Sequence, residues 1–355
     1  MTNEKTSRDP SRRKFIKYGV AAAGATALGL TGYSFFGKQA SSGSTVATTS
    51  SQIAGLTRTR TMTTARSSAR RPPPVKPTRI DVHDHPETGP PADEIIRRMD
   101  KAGVSHIALM CFGAFDNITY DIFKQYPNRI IPFIGTKVMP TGEYYPEWLS
   151  EIDKVLRPTG DFYGVGEVLL RYYHNQRGEP ECNAPADSPS IKKLADTISA
   201  NDAVLLIHLN PEIDATRSLD NLLTYNKEVK LIWAHLGSVG RAYKSDQYSA
   251  LKRFNEMMSK HENLYADISS LDPFQVDGLT PIPTDQGVLT PEFKETFQEY
   301  NDRIMFGLDC CYVERWDEQR IIKSTKWYDD IMANLDDPKM GENIMWRNAV
   351  ELLKL

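Results

Sequence analysis

Cysteine is scarce in this 355-residue chain, with four residues: Cys111, Cys182, Cys310 and Cys311. Four thiols cannot staple a domain of this size, so a disulfide scaffold is excluded. Cys310 and Cys311 are neighbours, about 3.8 Å apart at Cα, whereas a relaxed disulfide needs roughly 4.4 Å or more. One other bridge stays open. Histidine is also thin, at seven residues. Strongly apolar runs of membrane length are missing, and the uncharged stretch from Tyr18 to Gly37 is only mildly apolar. Basic residues are under-represented over most of the chain. Residues 1–79 hold 14 basic and 2 acidic side chains, while residues 80–355 hold 29 basic and 44 acidic. So acidic a body is a poor partner for nucleic acid, whose phosphates attract Lys and Arg, and no nucleic-acid partner is expected. With 40% hydrophobic and 25% charged residues, the chain otherwise has ordinary globular composition.

At the N-terminus, Ser11-Arg12-Arg13-Lys14-Phe15-Ile16-Lys17 precedes the uncharged stretch. This segment resembles a twin-arginine export signal. The resemblance implies passage through the twin-arginine translocase and a periplasmic or exported location. An uncleaved segment would tether the protein to the membrane, since about 20 residues suffice to span a bilayer. Residues 38–77 are rich in Ser, Thr and Arg, end in Arg70-Arg71-Pro72-Pro73-Pro74, and read as a disordered basic linker. The expected organisation is a signal or anchor over 1–37, a linker over 38–77 and one catalytic domain over 78–355.

Within that domain, apolar β-branched runs alternate with helical patterns about every 30 residues. Strands are expected over Arg79–His83, His106–Cys111, Ile130–Gly135, Tyr163–Leu169, Ala203–His208, Lys230–His235, Asn263–Ile268 and Arg303–Gly307. Helices are expected over Ala92–Ala102, Tyr145–Leu156, Ile191–Ser199 and Ser249–His261, with a final one over Glu342–Leu352 on the outside. Apolar strands buried on both faces mark a parallel sheet. Eight such units fit an α/β fold of the (β/α)8 TIM-barrel type, whose usual size is about 250 residues. A doubly wound sheet is the alternative. It leaves unexplained why His83, His85, Glu167, His208, His235 and Asp309 all fall at strand ends. In a barrel, the C-terminal ends converge on one mouth, where active sites sit.

Four of the seven histidines stand in this set. His83 and His85 are two apart, and such residues share one face of a strand. Imidazole and carboxylate together suit Zn, Mn, Fe or Ni. The stretches Asp81-Val82-His83-Asp84-His85, Gly164-Val165-Gly166-Glu167, Leu206-Ile207-His208, Trp233-Ala234-His235-Leu236-Gly237 and Ile304-Met305-Phe306-Gly307-Leu308-Asp309 resemble the amidohydrolase superfamily, specifically its amidohydrolase-related branch. Met99–Val104 and Arg347-Asn348-Ala349 fit as well.

The resemblance implies that His83, His85, His208 and Asp309 hold a divalent metal, with Zn foremost and Mn or Fe as alternatives. It gives His235 either a second ion or an acid/base role. Glu167 bridges two ions in some branches and supports the site from behind in others, so one or two ions are expected. It also implies a small-molecule substrate and a homodimer. Asp309 and His235 are the candidate catalytic residues. The expected reaction is hydrolysis of an amide, lactone or ester by metal-activated water. Decarboxylation or lyase chemistry on the same site, a non-catalytic binding protein and a metal-dependent DNase are the alternatives.

Lys137, Arg171, His174 and Arg241 follow strands on the mouth side and are candidate substrate contacts. His106 and His261 sit at the opposite end and read as structural. The loops Tyr172–Pro189 and Ser270–Thr290 are long enough to form lids. Asp309-Cys310-Cys311-Tyr312 departs from the Asp-Tyr-Pro or Asp-Phe-Pro of many relatives, which leaves that side of the pocket undefined.

Overall fold

A computed structural model describes residues 75–112, 117–136, 146–159, 161–172, 182–241, 246–275 and 279–355. The chain divides into a unit of residues 1–67, outside the described residues, and a second unit, Ser68–Leu355, which holds every element below. The export-type segment, most of the linker, Lys137 and His174 lie outside the described residues.

Strand formation follows the β-branched runs. The strands are β1 (Ile80–Asp84), β2 (His106–Leu109), β3 (Ile130–Ile134), β4 (Gly164–Tyr172), β5 (Cys182–Asn183), β6 (Val204–Leu209), β7 (Lys230–Trp233), β8 (Leu264–Asp267), β9 (Thr284–Asp285), β10 (Val288–Leu289) and β11 (Ile304–Met305). Eight of them form a parallel sheet in the order β1-β2-β3-β4-β6-β7-β8-β11, with β5 antiparallel on the end of β4 and β9–β10 a separate hairpin. No ladder joins β11 to β1. Two backbone bonds close that seam, Val82 N–H to Phe306 C=O at 3.1 Å and Asp309 N–H to His83 C=O at 2.7 Å. The result is a nearly closed (β/α)8 barrel.

Helices α1 (Ala92–Lys101), α2 (Asn117–Gln125), α3 (Pro146–Thr159), α4 (Pro189–Ala200), α5 (Ile213–Tyr225), α7 (Gln247–Lys260), α8 (Pro291–Glu299) and α9 (Glu318–Met332) surround it, while α6 (Ala234–Ser238) is a turn considered below. Their starts are marked in sequence. Ser188, Asp246 and Asp317 cap α4, α7 and α9 through their side chains, and prolines open α4 and α8. Strand side chains alternate between two clusters, as a pleated strand requires. Ile107, Leu109, Leu205, Ile207, Leu231 and Trp233 pack against the helices, whereas Ala108, Met110, Leu206 and Ile232 fill the barrel interior.

The C-terminus departs from the sequence expectation. A single helix over Glu342–Leu352 is replaced by α10 (Pro338–Glu342), a π-helical turn over Asn343–Arg347 and α11 (Asn348–Leu353). Nor does it lie outside. Ala349, Leu352 and Leu353 belong to the interior cluster with Ile80, Val82 and Phe133, so this segment plugs the barrel. The π turn places the Ile344 carbonyl 2.9 Å from Phe306 N–H, pairing the end of β11. All four cysteines are free thiols, which closes the question of a bridge.

Candidate metal centre

The strand ends bring together His83, His85, Glu167, His208, His235 and Asp309, each no more than 3% exposed. Glu167 lies at the centre. Its Oε2 is 3.6 Å from His83 Nε2 and 3.8 Å from His85 Nε2. Its Oε1 is 2.9 Å from His208 Nδ1 and 3.3 Å from His235 Nε2. Asp309 Oδ1 is 3.5 Å from His85 Nε2. Two overlapping triads, His83–His85–Asp309 and His83–Glu167–His235, each have one donor atom per residue within 4.8 Å of the others.

The partner on the far side of each ring decides which nitrogen faces inward. His83 Nδ1 is 3.1 Å from Asp267 Oδ2, a pure acceptor. His85 Nδ1 is 3.0 Å from the Met110 carbonyl. His235 Nδ1 is 2.8 Å from Ser269 Oγ. That hydroxyl gives its own proton to Asp267 Oδ1 at 2.5 Å, so it accepts from the ring. His208 Nε2 is 3.0 Å from Asn210 Oδ1, whose amide is oriented by donating to the Arg241 carbonyl at 3.0 Å. Each imidazole therefore donates its outer N–H. The bare lone pairs of His83 Nε2, His85 Nε2, His208 Nδ1 and His235 Nε2 converge, with two carboxylates, on one volume.

His208 Nδ1 and His235 Nε2 lie 3.1 Å apart, and His208 Nδ1 is in contact with Glu167, but the other two nitrogens have no such partner. The Nε2 atoms of His83 and His85 are buried with no hydrogen-bond partner among the described residues. Buried acceptors facing acceptors are costly unless a cation lies between them. Four imidazole nitrogens and two carboxylates are a donor set for a borderline divalent transition metal. On this test the residues fit a metal ion.

The electrostatics agree. Burial opposes ionisation of Glu167, but the pull of His83 and the close ring nitrogens of His208 and His235 outweigh it, holding the carboxyl well below its usual range. Burial likewise opposes ionisation of Asp309, and Arg315 with His83, His235 and His85 overcomes it, again holding the pKa low. His83 is pulled down by burial and raised more strongly by Asp267 and Glu167, so it ends well above normal and its Nε2 has a high affinity for a cation, proton or metal. Burial lowers His85, and lowers His208 to about 4. Both carboxylates are thus anionic at neutral pH, in a pocket that attracts cations.

Local backbone explains how His235 reaches the site. At the end of β7, His235 (φ 58°), Leu236 (φ 53°) and Gly237 (φ 68°) form a left-handed turn. For His and Leu this conformation costs of order 1–2 kcal/mol each. Asp267 Oδ1 holds it by accepting His235 N–H at 3.0 Å. A Cβ on Gly237 would lie 2.8 Å from Phe254, so only glycine fits there.

Several site residues carry no signature in the sequence. Asp267, fully buried at the end of β8, orients His83 directly and His235 through its N–H and Ser269. Its place at a barrel strand end is the one available cue. Asn210 follows His208 by two. Arg315 is fully buried and bonds Asp309 Oδ2 at 2.6 Å. Phe112 stacks on His85 at 4.0 Å between ring centroids, and Tyr172 meets His208 edge-on at 5.0 Å.

The two described substrate candidates differ in position. Arg241 is buried beside the centre, its guanidinium 5.3 Å from the Tyr172 ring centroid. Arg171 is engaged by Asp214, with bonds of 2.9 and 2.8 Å. His106 is bonded to Ser105 and His261 to Asp220, both apart from the metal-type cluster.

Fold and site together define a barrel enzyme-type scaffold with a buried His/carboxylate centre at its mouth. A family model described as Amidohydrolase matches residues 171–355, just over half of the sequence, and the chain belongs to that family. No curated protein matches it. Solved structures do. A probable 2-pyrone-4,6-dicarboxylic acid hydrolase from Acinetobacter baumannii has a TM-score of 0.52 at 14% identity, over 78% of this chain and 99% of that one. A 4-oxalomesaconate hydratase from Rhodopseudomonas palustris also has a TM-score of 0.52 at 14% identity, over 78% and 96%. A 2,6-dihydroxybenzoate decarboxylase from Rhizobium has a TM-score of 0.50 at 16% identity, over 79% and 99%. At such identities the likeness is one of fold.

Proposed function

We propose that this chain is a metal-dependent hydrolase that cleaves an amide, lactone or ester bond of a small molecule. We propose also that it is exported through the twin-arginine route. The observation that carries the catalytic reading is the inward convergence of four bare imidazole nitrogens on two anionic carboxylates. That arrangement fits a divalent cation, with Zn, Mn or Fe as candidates. His83, His85, Glu167, His208, His235 and Asp309 would hold it, and the split of Glu167 between two histidine pairs suits one ion or two. The ion supplies Lewis acidity, polarising a substrate oxygen and making water a competent nucleophile near neutral pH.

The protein residues have separable roles. Asp267, Met110, Ser269 and Asn210 fix the imidazole tautomers, so no reorganisation is needed at the moment of reaction. Asp309 presents Oδ1 to the cluster, and a proton leaving water is accepted there, because Oδ2 is taken by Arg315 and Ser270. His235 presents a lone pair at Nε2 and enters as a ligand or proton acceptor. Phe112 and Tyr172 flank the centre and limit water access. Arg241, buried beside Tyr172, is a cation that a bound substrate could meet.

The test is elemental mass spectrometry on the purified full chain beside the His83→Ala/His85→Ala variant. One or two equivalents of metal, lost in the variant, support the reading. No uptake after reconstitution with Zn, Mn and Fe refutes it. The fold neighbours include a hydrolase, a hydratase and a decarboxylase by name. A substrate panel scored for carbon dioxide against acid–amine or acid–alcohol products then decides the reaction.

A further inference from the structure

The segment after Asp309 holds a buried cation. Tyr312 enters a 3-10 turn over Val313–Trp316 in which Arg315 and Trp316 are both buried. Trp316 Nε1 donates to the His85 carbonyl at 3.3 Å, on the other side of the barrel seam. Arg315 Nη1 donates to Asp309 Oδ2 at 2.6 Å, to the Asp309 carbonyl at 2.7 Å and to Ser270 Oγ at 2.5 Å. Ser270 Oγ in turn donates to Asp309 Oδ2 at 2.5 Å. Asp309 itself has left-handed backbone, φ 55°, with its N–H on the His83 carbonyl. The carboxylate is therefore fixed at both ends. Oδ1 faces His85 Nε2 and the centre, while Oδ2 is saturated by one charged and one neutral donor.

We infer that Arg315 is a positioning residue that withholds Oδ2 of Asp309 from the metal, so that the aspartate offers one oxygen and a coordination position stays open for substrate or water. This rests on the metal-centre reading above. An aspartate free to turn can present both oxygens to a cation, and a closed ligand shell is the mark of structural rather than catalytic sites. Arg315 also carries a positive charge close to the centre, which lowers the net attraction for the ion. Both effects act in one direction: Arg315 weakens metal binding in exchange for an open site.

The experiment measures Co(II) affinity, by competition with a chromophoric chelator, and the visible Co(II) spectrum in the full chain. The variants are Arg315→Met, Arg315→Lys, Ser270→Ala and Asp309→Asn, with the Arg315→Met/Asp309→Asn double. The inference expects Arg315→Met to bind Co(II) at least about tenfold more tightly, the sign expected when a like charge near a cation is removed. Its absorption per bound ion should weaken, as it does when ligand number rises. Arg315→Lys should restore most of the wild-type spectrum. In the Asp309→Asn background the spectral change should vanish and the affinity gain of Arg315→Met should shrink to the direct effect of removing its charge, because the rest of the coupling runs through that carboxylate. Ser270→Ala, which leaves the buried charge pair in place, should shift affinity the same way by a smaller factor. Equal or weaker binding with an unchanged spectrum, in Arg315→Met or in Ser270→Ala, shows a packing role only and overturns the inference. A wild-type chain that takes up no Co(II) instead overturns the metal-centre reading, and this inference with it.

Discussion

Replacing Asp267 by Asn tests the tautomer argument with almost no change in shape. Three donors converge on Asp267 Oδ1: His235 N–H at 3.0 Å, Ser269 N–H at 3.0 Å and Ser269 Oγ–H at 2.5 Å. Oδ2 faces His83 Nδ1 alone, at 3.1 Å. An asparagine must therefore place its carbonyl where Oδ1 is and turn its NH2 toward His83. Two donors cannot share that bond. His83 then moves its proton to Nε2, the atom that faces the centre, and metal binding must displace it. Restoring the metal-binding tautomer breaks the new bond from the asparagine NH2 to His83 Nδ1 and sets two donors against each other, which costs about 1.5–3 kcal/mol. Partners of this kind, one bond behind a ligand, are worth about 10–100-fold in metal affinity, or about 1.4–2.7 kcal/mol, so the two estimates agree. The assay is Zn(II) titration against a competing chelator, with thermal melts of the metal-free protein as control. The expected result is a 10–100-fold weaker Zn(II) site with a melting temperature close to wild type, since the three bonds at Oδ1 survive. Wild-type affinity in Asp267→Asn would refute the argument that Asp267 sets the His83 tautomer.

Acid stability provides a separate check. Burial, with a smaller contribution from Arg129, lowers His106 to about 4. Its folded pKa lies below the ordinary value of about 6.5, so the unfolded chain takes up the proton first. The contribution of His106 is complete above about pH 6.5 and is lost as pH falls toward 4. The ring is only partly buried, and after discounting for solvent the loss is about 1 kcal/mol. Urea unfolding at pH 7.5 and 4.5 should show that much less acid sensitivity in His106→Asn than in wild type; identical slopes would contradict the assignment. Gly237→Ala should destabilise the protein by more than about 2 kcal/mol, because alanine is strained at positive φ and its Cβ meets Phe254. Metal binding should fall with it, since the same turn presents His235. A melting temperature within a degree of wild type would show that the turn relaxes freely.

The barrel was legible because its cause is local and repeated. Each apolar run from Ile80 to Met305 is a strand within one or two residues of its expected ends, except that β4 runs three residues past its expected end. Strand ends supplied the site for the same reason: His83, His208 and His235 each close such an expected run, and Glu167 stands two residues before the expected end of its own. What escaped was fixed by partners far away in sequence. Asp267 sits at a strand end like the ligands, yet its role is set by His83, 184 positions earlier. Arg315, by contrast, lies only six positions after Asp309, but in a turn without periodicity, so nothing local marks its side chain as aimed back at that carboxylate. Arg171 also has a partner that the sequence does not announce: Asp214, 43 positions later, takes its guanidinium by two bonds. The C-terminal helix reads as continuous because hydrophobic spacing barely registers one inserted residue. A π turn at Asn343–Arg347 shifts the face that follows it and sends Leu352 and Leu353 into the barrel. Donor identity was therefore written in the strands, whereas donor orientation was written in contacts between them. Orientation is what separates a cluster of histidines from a metal site, and it is the property that the Asp267 and Arg315 substitutions probe.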